Sequence, residues 1–241
     1  MKRDKPSRPT SLVPAGKSET PVSRIAPRKL RQVGWLSMLP SDVQERFLKL
    51  GRDVSVPRGK LLYSAGDEPD AIFGIEDGLL DLAIPILDTE ECIIHRGTPG
   101  FWIGDGALVQ GTPRTLTVEA ATDCRLLSIS FVALRKHLSE IPGDWEYLHR
   151  LSTFNGILAI RILAEVLSLS PGARIARLLL RLAKPDGTVA SNQEDLGRLA
   201  GMSRATFRRA ISRLTASGAI QMRYSTVKIM DRSAVERQAR L

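Results

Sequence analysis

The chain has 241 residues, enough for one large or two modest domains, and 43% of them are apolar, as in an ordinary globular protein. Its two cysteines, Cys92 and Cys124, lie far apart, and His95, His137 and His149 are isolated; this excludes a cysteine-built zinc or iron–sulfur site and gives no pattern for haem or a cupin-type metal. The net charge of +9 is uneven: residues 1–31 hold nine basic against two acidic side chains, residues 191–241 hold ten against four, and the stretch between them holds 16 against 20. A basic module joined to an acidic body is the distribution expected when only one part meets phosphate.

Residues 1–31 contain five prolines, several serines and almost no apolar periodicity, which predicts a disordered basic tail. Pro40-Ser41-Asp42 then offers a helix start, with Val43, Phe47, Leu48 and Leu50 as its apolar side. From residue 54 to 132 short apolar runs alternate with glycine-marked turns. Leu61–Tyr63, Ala71–Phe73, Leu79–Ile86, Cys92–Ile94, Leu116–Val118 and Leu126–Ile129 read as strands, so residues 32–142 are expected to form a β-barrel or jelly roll. Residues 143–169 read as one long helix. Leu148, Leu151, Leu158 and Ile162 follow three- and four-residue spacing, with Asn155 among them, and Phe154, Ile157 and Leu163 make a second flank. A helix apolar on two sides must bury both. The expected arrangement puts one flank on the protein's own barrel and uses Leu148, Leu151, Asn155, Leu158 and Ile162 to join a second copy, Asn155 fixing register. Ser170-Pro171-Gly172 breaks the pattern and sets a domain boundary, leaving residues 170–241 as a separate unit.

That last unit carries the sharpest signal. After the amphipathic run 173–184, Ser191 or Asn192 caps a helix with Glu194 and Asp195 in its first turn and Leu196, Leu199 and Ala200 inside. Gly201 follows as a tight turn and Met202 plugs the corner. Ser203 then caps a second helix, 204–217, whose Phe207, Ile211 and Leu214 point inward. Its other side shows Arg204, Ala205, Thr206, Arg208, Arg209, Ser212 and Arg213. Two short helices joined by a tight bend can lay the second in a DNA major groove. There arginine can bond guanine bidentately, and other arginines can hold phosphates. Residues 218–229 read as a β-hairpin, the wing beside such a helix. The predicted DNA contacts are Ser203, Arg204, Ala205, Thr206, Arg208, Arg209 and Arg213.

At three places the sequence resembles the Crp/Fnr family of transcription regulators, over roughly residues 33–235. The stretch Gln193-Glu194-Asp195-Leu196 through Met202-Ser203-Arg204-Ala205-Thr206 carries the family's Ser-Arg-x-Thr step. Arg174-Ile175-Ala176-Arg177-Leu178-Leu179 is similar to the first helix of its winged domain. Gly104-Asp105-Gly106-Ala107-Leu108 with Pro113-Arg114-Thr115 is similar to its phosphate-binding cassette. The resemblance implies an α+β protein: a cyclic-nucleotide-binding-like barrel, a long dimerisation helix and a C-terminal winged helix-turn-helix. It implies a cytoplasmic, homodimeric, non-enzymatic regulator whose partners are palindromic double-stranded DNA, a second copy of itself and RNA polymerase, with no membrane association. No strand-region clustering of His, Asp or Glu suggests catalysis. No apolar stretch is expected to reach the roughly 20 residues of a membrane span.

The resemblance also places a ligand site at Gly104, Asp105, Gly106, Ala107, Arg114 and Thr115, with Arg114 on a cyclic phosphate. Asp105 stands where nucleotide-binding members have glutamate, one methylene longer. Ala159 and Ile160 stand where they have hydroxyl side chains for adenine. Cyclic AMP therefore fits less well than the cassette suggests. Another nucleotide, a different small molecule or an empty pocket remain open, as does an Arg114–Asp105 ion pair that merely holds the loop. Ala205 replaces the glutamate common after the Ser-Arg pair, which implies a different base preference.

Overall fold

The computed structural model describes residues 29–87 and 90–240. They fall into two compact units, one built from residues up to 91 together with 97–152, the other from residues 92–96 together with 153 onward.

The first unit opens with 3₁₀ turns at Lys29–Arg31 and Leu36–Met38 and helix α1, Ser41–Leu50. Strands follow: β1 Arg52–Val56, β2 Leu61–Tyr63, β3 Ala71–Asp77, β4 Leu80–Leu87, β5 Glu90–Gly97 and β6 Trp102–Ile103. Helix α2, Asp105–Gln110, interrupts them before β7 Thr117–Ala120 and β8 Cys124–Ser130. Then come α3 Phe131–Glu140, a 3₁₀ turn at Pro142–Asp144 and the long α4, Trp145–Ser168; residues 92–96 of β5 and residues 153–168 of α4 group with the second unit.

The strands form two four-stranded sheets, ordered β1-β8-β3-β6 and β2-β7-β4-β5. Register pairs such as Val54↔Leu126, Ile72↔Ile129 and Leu82↔Val118 are antiparallel. Alternation along a strand explains two cores. Ala71, Phe73 and Ile75 of β3 and Leu126 of β8 face the core shared with the second sheet, where Leu62, Tyr63, Leu82 and Val118 meet them. Ile72 of β3 and Leu127 and Ile129 of β8 point the other way, into a helix-covered core with Phe47, Leu134, Leu138, Leu148 and Leu151. With both faces covered, β3 is buried at every position but its last, and its first five residues, Ala71 to Ile75, carry no polar side chain.

Two expectations are corrected here. Lys29–Arg31 is ordered rather than part of a tail: Leu30 is fully buried, Lys29 N–H donates to Glu76 at 3.0 Å, and its ammonium pairs with Asp77 at 2.8 Å. One leucine with a core to enter outweighs the surrounding polar composition, at roughly 1.5–3 kcal/mol for full burial. Residues 1–28 of the expected tail lie outside the described residues. Helix α3 was also absent from the sequence reading. Ser130 caps it, its Oγ accepting from Ala133 N–H at 3.2 Å.

The second unit continues with α5 Pro171–Leu182, β9 Thr188–Val189, α6 Gln193–Leu199, α7 Arg204–Ala216, β10 Ile220–Met222, β11 Val227–Ile229 and α8 Arg232–Gln238. Ser170 caps α5 and Pro171 occupies its first turn, where a missing N–H costs nothing. The buried stripe Ile175, Leu178, Leu179 and Leu182 meets Leu196, Phe207, Ile211, Leu214 and Val235 in one core. The three strands pair in the order β10-β11-β9.

Candidate nucleic-acid interface

The bend between α6 and α7 follows from local sequence. Asn192 Oδ1 caps α6 by accepting from Asp195 N–H at 2.9 Å. At the far end Gly201 takes φ +59°, which L side chains rarely adopt. Met202 lies half-buried against the core, and Ser203 Oγ accepts from Thr206 N–H at 3.2 Å to start α7. Phe207, Ala210, Ile211 and Leu214 anchor the inner side of α7. Its outer side presents Ser203, Arg204, Ala205, Arg208, Arg209, Ser212 and Arg213 exposed, with Thr206 half-buried beside the cap. Every predicted DNA-contact residue therefore lies on one outward surface or its edge. Arg204 Nη2 donates to Glu194 Oε1 of α6 at 2.8 Å; among the described residues the side chains of Arg208, Arg209 and Arg213 pair with no carboxylate. The turn joining β10 to β11 holds Tyr224 fully exposed. Sequence reasoning passed over Glu194 as only a first-turn acid, and β9 went unseen because two residues carry no periodicity.

The cassette residues are brought together at one end of the barrel, but their partners differ from expectation. Gly104 takes φ +102° with Arg114 Nη1 so close that a Cβ there would lie 2.7 Å from it. Arg114 is buried. Its Nη2 donates to Ala71 O at 2.7 Å and to Asp70 Oδ1 at 3.2 Å, and its guanidinium lies 4.2 Å from the centre of the Tyr63 ring. Its Nε and Nη1 are buried without a partner among the described residues. The carboxylate paired with Arg114 is thus that of Asp70, where the sequence left open a pair with Asp105. Asp105 is buried too, and its Oδ2 accepts from Ser152 of α4 at 2.7 Å. Burial pushes the Tyr63 hydroxyl far above the usual tyrosine range. Gly106 is open on its Cβ side, Ala107 is half-buried and Thr115 is exposed. The buried hydroxyl of this strand belongs to Thr117, which donates to Glu91 at 2.8 Å. No sequence spacing links Arg114 to Asp70 or Tyr63, 44 and 51 positions away.

Helix α4 corrects the expected dimer contacts. Leu148 and Leu151 are fully buried in the protein's own core, so they cannot meet a second copy. Leu158, Ile162 and Asn155 are half-buried. The exposed apolar side is the second flank: Phe154, Ile157, Ile160, Leu163, Val166 and Leu167. Periodicity found both flanks but could not tell which one meets the barrel. The helix also proves more apolar than expected. An 18-residue window within residues 142–168 reaches a mean hydropathy of 1.4, enough by length and composition to span a membrane. Its first two turns, however, are committed to the barrel core. That leaves residues 153–168, short of the roughly 20 a span needs.

A sandwich of two antiparallel sheets carrying a Gly-Asp-Gly cassette, followed by a helix-turn-helix with a basic outer face, defines a DNA-binding transcription regulator with an effector-type barrel. Comparison with known proteins agrees. The cyclic nucleotide-binding domain family matches residues 53–140, and the Crp-like helix-turn-helix domain family matches residues 173–238. A CRP-like cAMP-activated global transcriptional regulator of Mycobacterium tuberculosis is 28% identical over 201 residues, covering 78% of this chain and 88% of the relative. The transcriptional regulator LdrP of Thermus thermophilus is 26% identical, covering 76% and 94%. The solved structure of a CRP/FNR-family transcriptional regulator of Thermus thermophilus shares the fold with a TM-score of 0.66 at 22% identity, covering 79% of this chain and 99% of that one. The chain belongs to the Crp/Fnr family of transcription regulators.

Proposed function

We propose that this regulator acts as a homodimer on a palindromic operator, with one α7 in the major groove of each half-site. The reading rests on a single observation: α7 is apolar and buried on its inner side, and exposed and cationic on its outer side, beside a tight bend at Gly201. Ser203, Arg204, Ala205, Thr206, Arg208, Arg209 and Arg213 make the DNA contacts, divided between bases and phosphates. The exposed flank of α4 supports pairing with a second copy, because a stripe of six large apolar residues is costly to leave in water. Two-fold symmetry then sets the half-sites about one helical turn apart. Such a protein works in the cytoplasm, where its operator is, and bound beside a promoter it meets RNA polymerase.

For the barrel we propose an anionic small ligand held at Arg114. The two unpartnered guanidinium nitrogens support this, since a buried donor without an acceptor is costly and an oxyanion satisfies it. The Mycobacterium tuberculosis relative is described as cAMP-activated. In this chain Asp105 is already engaged by Ser152, and Ala159 and Ile160 offer no hydroxyl, so the ribose and base contacts of such a ligand would have to come from other groups.

The test is selection of duplexes from a random library by the full-length chain, followed by binding titrations with and without cyclic mononucleotides and dinucleotides. The expected result is a palindromic consensus, binding that weakens steeply with salt, and an affinity that responds to one of the nucleotides. Failure to enrich any sequence overturns the DNA reading. An enriched operator bound identically with every nucleotide overturns the ligand reading.

A further inference from the structure

We infer that Glu194 is a specificity-determining residue of this regulator, acting through Arg204. The proposal rests on the reading of α7 as the DNA-contacting helix.

Arg204 is the first residue of α7, and the first turn of that helix contains no acidic side chain. A helix N-terminus carries about half a positive charge, so a guanidinium placed there is repelled unless a carboxylate stands nearby. Here the carboxylate comes from α6: Glu194 Oε1 accepts from Arg204 Nη2 at 2.8 Å. Both side chains are well exposed, 85% for Arg204 and 63% for Glu194. An exposed ion pair adds little to folding stability. The pair therefore matters for what Arg204 offers to a partner rather than for holding α6 to α7.

Two consequences follow. The carboxylate limits the directions in which the guanidinium fork can point. It also cancels the local charge that would draw Arg204 onto a phosphate. Arg208, Arg209 and Arg213 have no such carboxylate and supply the phosphate attraction. Arg204, held and neutralised, reads a base edge, where guanine O6 and N7 match its fork. Ala205 beside it is exposed and has no acceptor, so the carboxylate at the start of the recognition surface is supplied by Glu194. Removing Glu194 frees Arg204 to bind any phosphate and exchanges discrimination for general affinity.

The experiment compares the full chain with Glu194→Gln, Arg204→Ala and the double variant. Each is titrated against the operator selected by the unmodified protein and against a scrambled duplex, over a range of salt. The expected result for Glu194→Gln is tighter binding to the scrambled duplex, a salt slope steeper by about 0.9 for one added phosphate contact, and a specificity ratio at least about fivefold lower. In the Arg204→Ala background the same substitution leaves the ratio unchanged. If the carboxylate merely repels DNA, removing it raises both affinities equally; an unchanged ratio in the single variant therefore overturns the proposal. So does a fall in ratio that persists without Arg204. If the unmodified protein prefers no sequence, the parent reading fails first, and that outcome is distinguishable from failure of the Glu194 role alone. Melting temperatures of all variants within about 2 °C of the parent show that the fold is intact, as expected for an exposed pair that adds little to folding stability.

Discussion

Removing the Asp144 carboxylate is expected to loosen the start of α4 and lower the stability of the barrel unit. Asp144 is buried and sits one residue before that helix. Its Oδ1 accepts from Arg46 Nη2 at 2.8 Å and its Oδ2 from Arg46 Nε at 3.0 Å, a bidentate pair that ties α1 to α4. His137 Nε2 of α3 lies 2.7 Å from Oδ2; an ionised carboxylate only accepts, so Nε2 is the donor. Breaking a buried pair by deleting one partner costs about 3–5 kcal/mol. Arg46 is 30% exposed and can turn to water, which places Asp144→Ala near the lower end, at about 3 kcal/mol. At roughly 2–4 °C per kcal/mol for a chain of this size, the melting temperature falls by about 6–12 °C at pH 7. The pH dependence has a definite sign. The Arg46 guanidinium, chiefly, and then His137 hold the Asp144 carboxyl below its ordinary value of 3.8. A lowered folded-state pKa gives stability that is present above the unfolded value and lost as pH falls through the folded one. The gap between parent and variant should therefore hold from pH 7 to about 5 and narrow at acid pH below the usual carboxylate range. Calorimetric scans across that range read it directly. A variant melting within 2 °C of the parent at pH 7, or a gap that widens in acid, refutes the reasoning.

Three further outcomes are expected. Phe207→Ala empties the centre of the winged core and should cost that unit about 3–5 kcal/mol; amide exchange should speed up across α5–α8 while β3 and β8 stay protected, and equal protection everywhere contradicts the anchoring role. Ile160→Glu with Leu163→Glu puts two charges on the exposed flank of α4 and should convert dimer to monomer in sedimentation velocity; a retained dimer contradicts the proposed interface. Arg114→Gln removes the buried guanidinium and should abolish any rise in melting temperature that a cyclic nucleotide gives the parent; a retained rise places the ligand elsewhere.

The winged unit was more legible than the barrel because its signals are local. Asn192, Gly201 and Ser203 punctuate helices within a dozen residues, and the spacing of Phe207, Ile211 and Leu214 states which side is inward. The barrel depends on distant pairings. Strand β1 is exposed at three of its five positions and so carries little alternation. Helix α3 was hidden because apolar residues run from Leu126 through Val132 with no glycine or proline at the strand–helix junction; only the Ser130 cap marks it. The cassette was recognisable by its glycines, yet the fate of Arg114 depends on Asp70 and Tyr63, and that of Asp105 on Ser152, which meet only in three dimensions. Likewise both apolar flanks of α4 were visible, while the choice between them is made by where the barrel core lies.

Methylation interference on the selected operator addresses the groove directly, since methyl groups at guanine N7 block only the major groove and those at adenine N3 only the minor. With α7 seated as described, N7 methylation should abolish binding at two clusters of guanines about 10 base pairs apart, and N3 methylation between them should matter far less. Binding that survives every N7 methyl group, or that is lost only on N3 methylation, would mean that the arginine-bearing side of α7 does not enter the major groove.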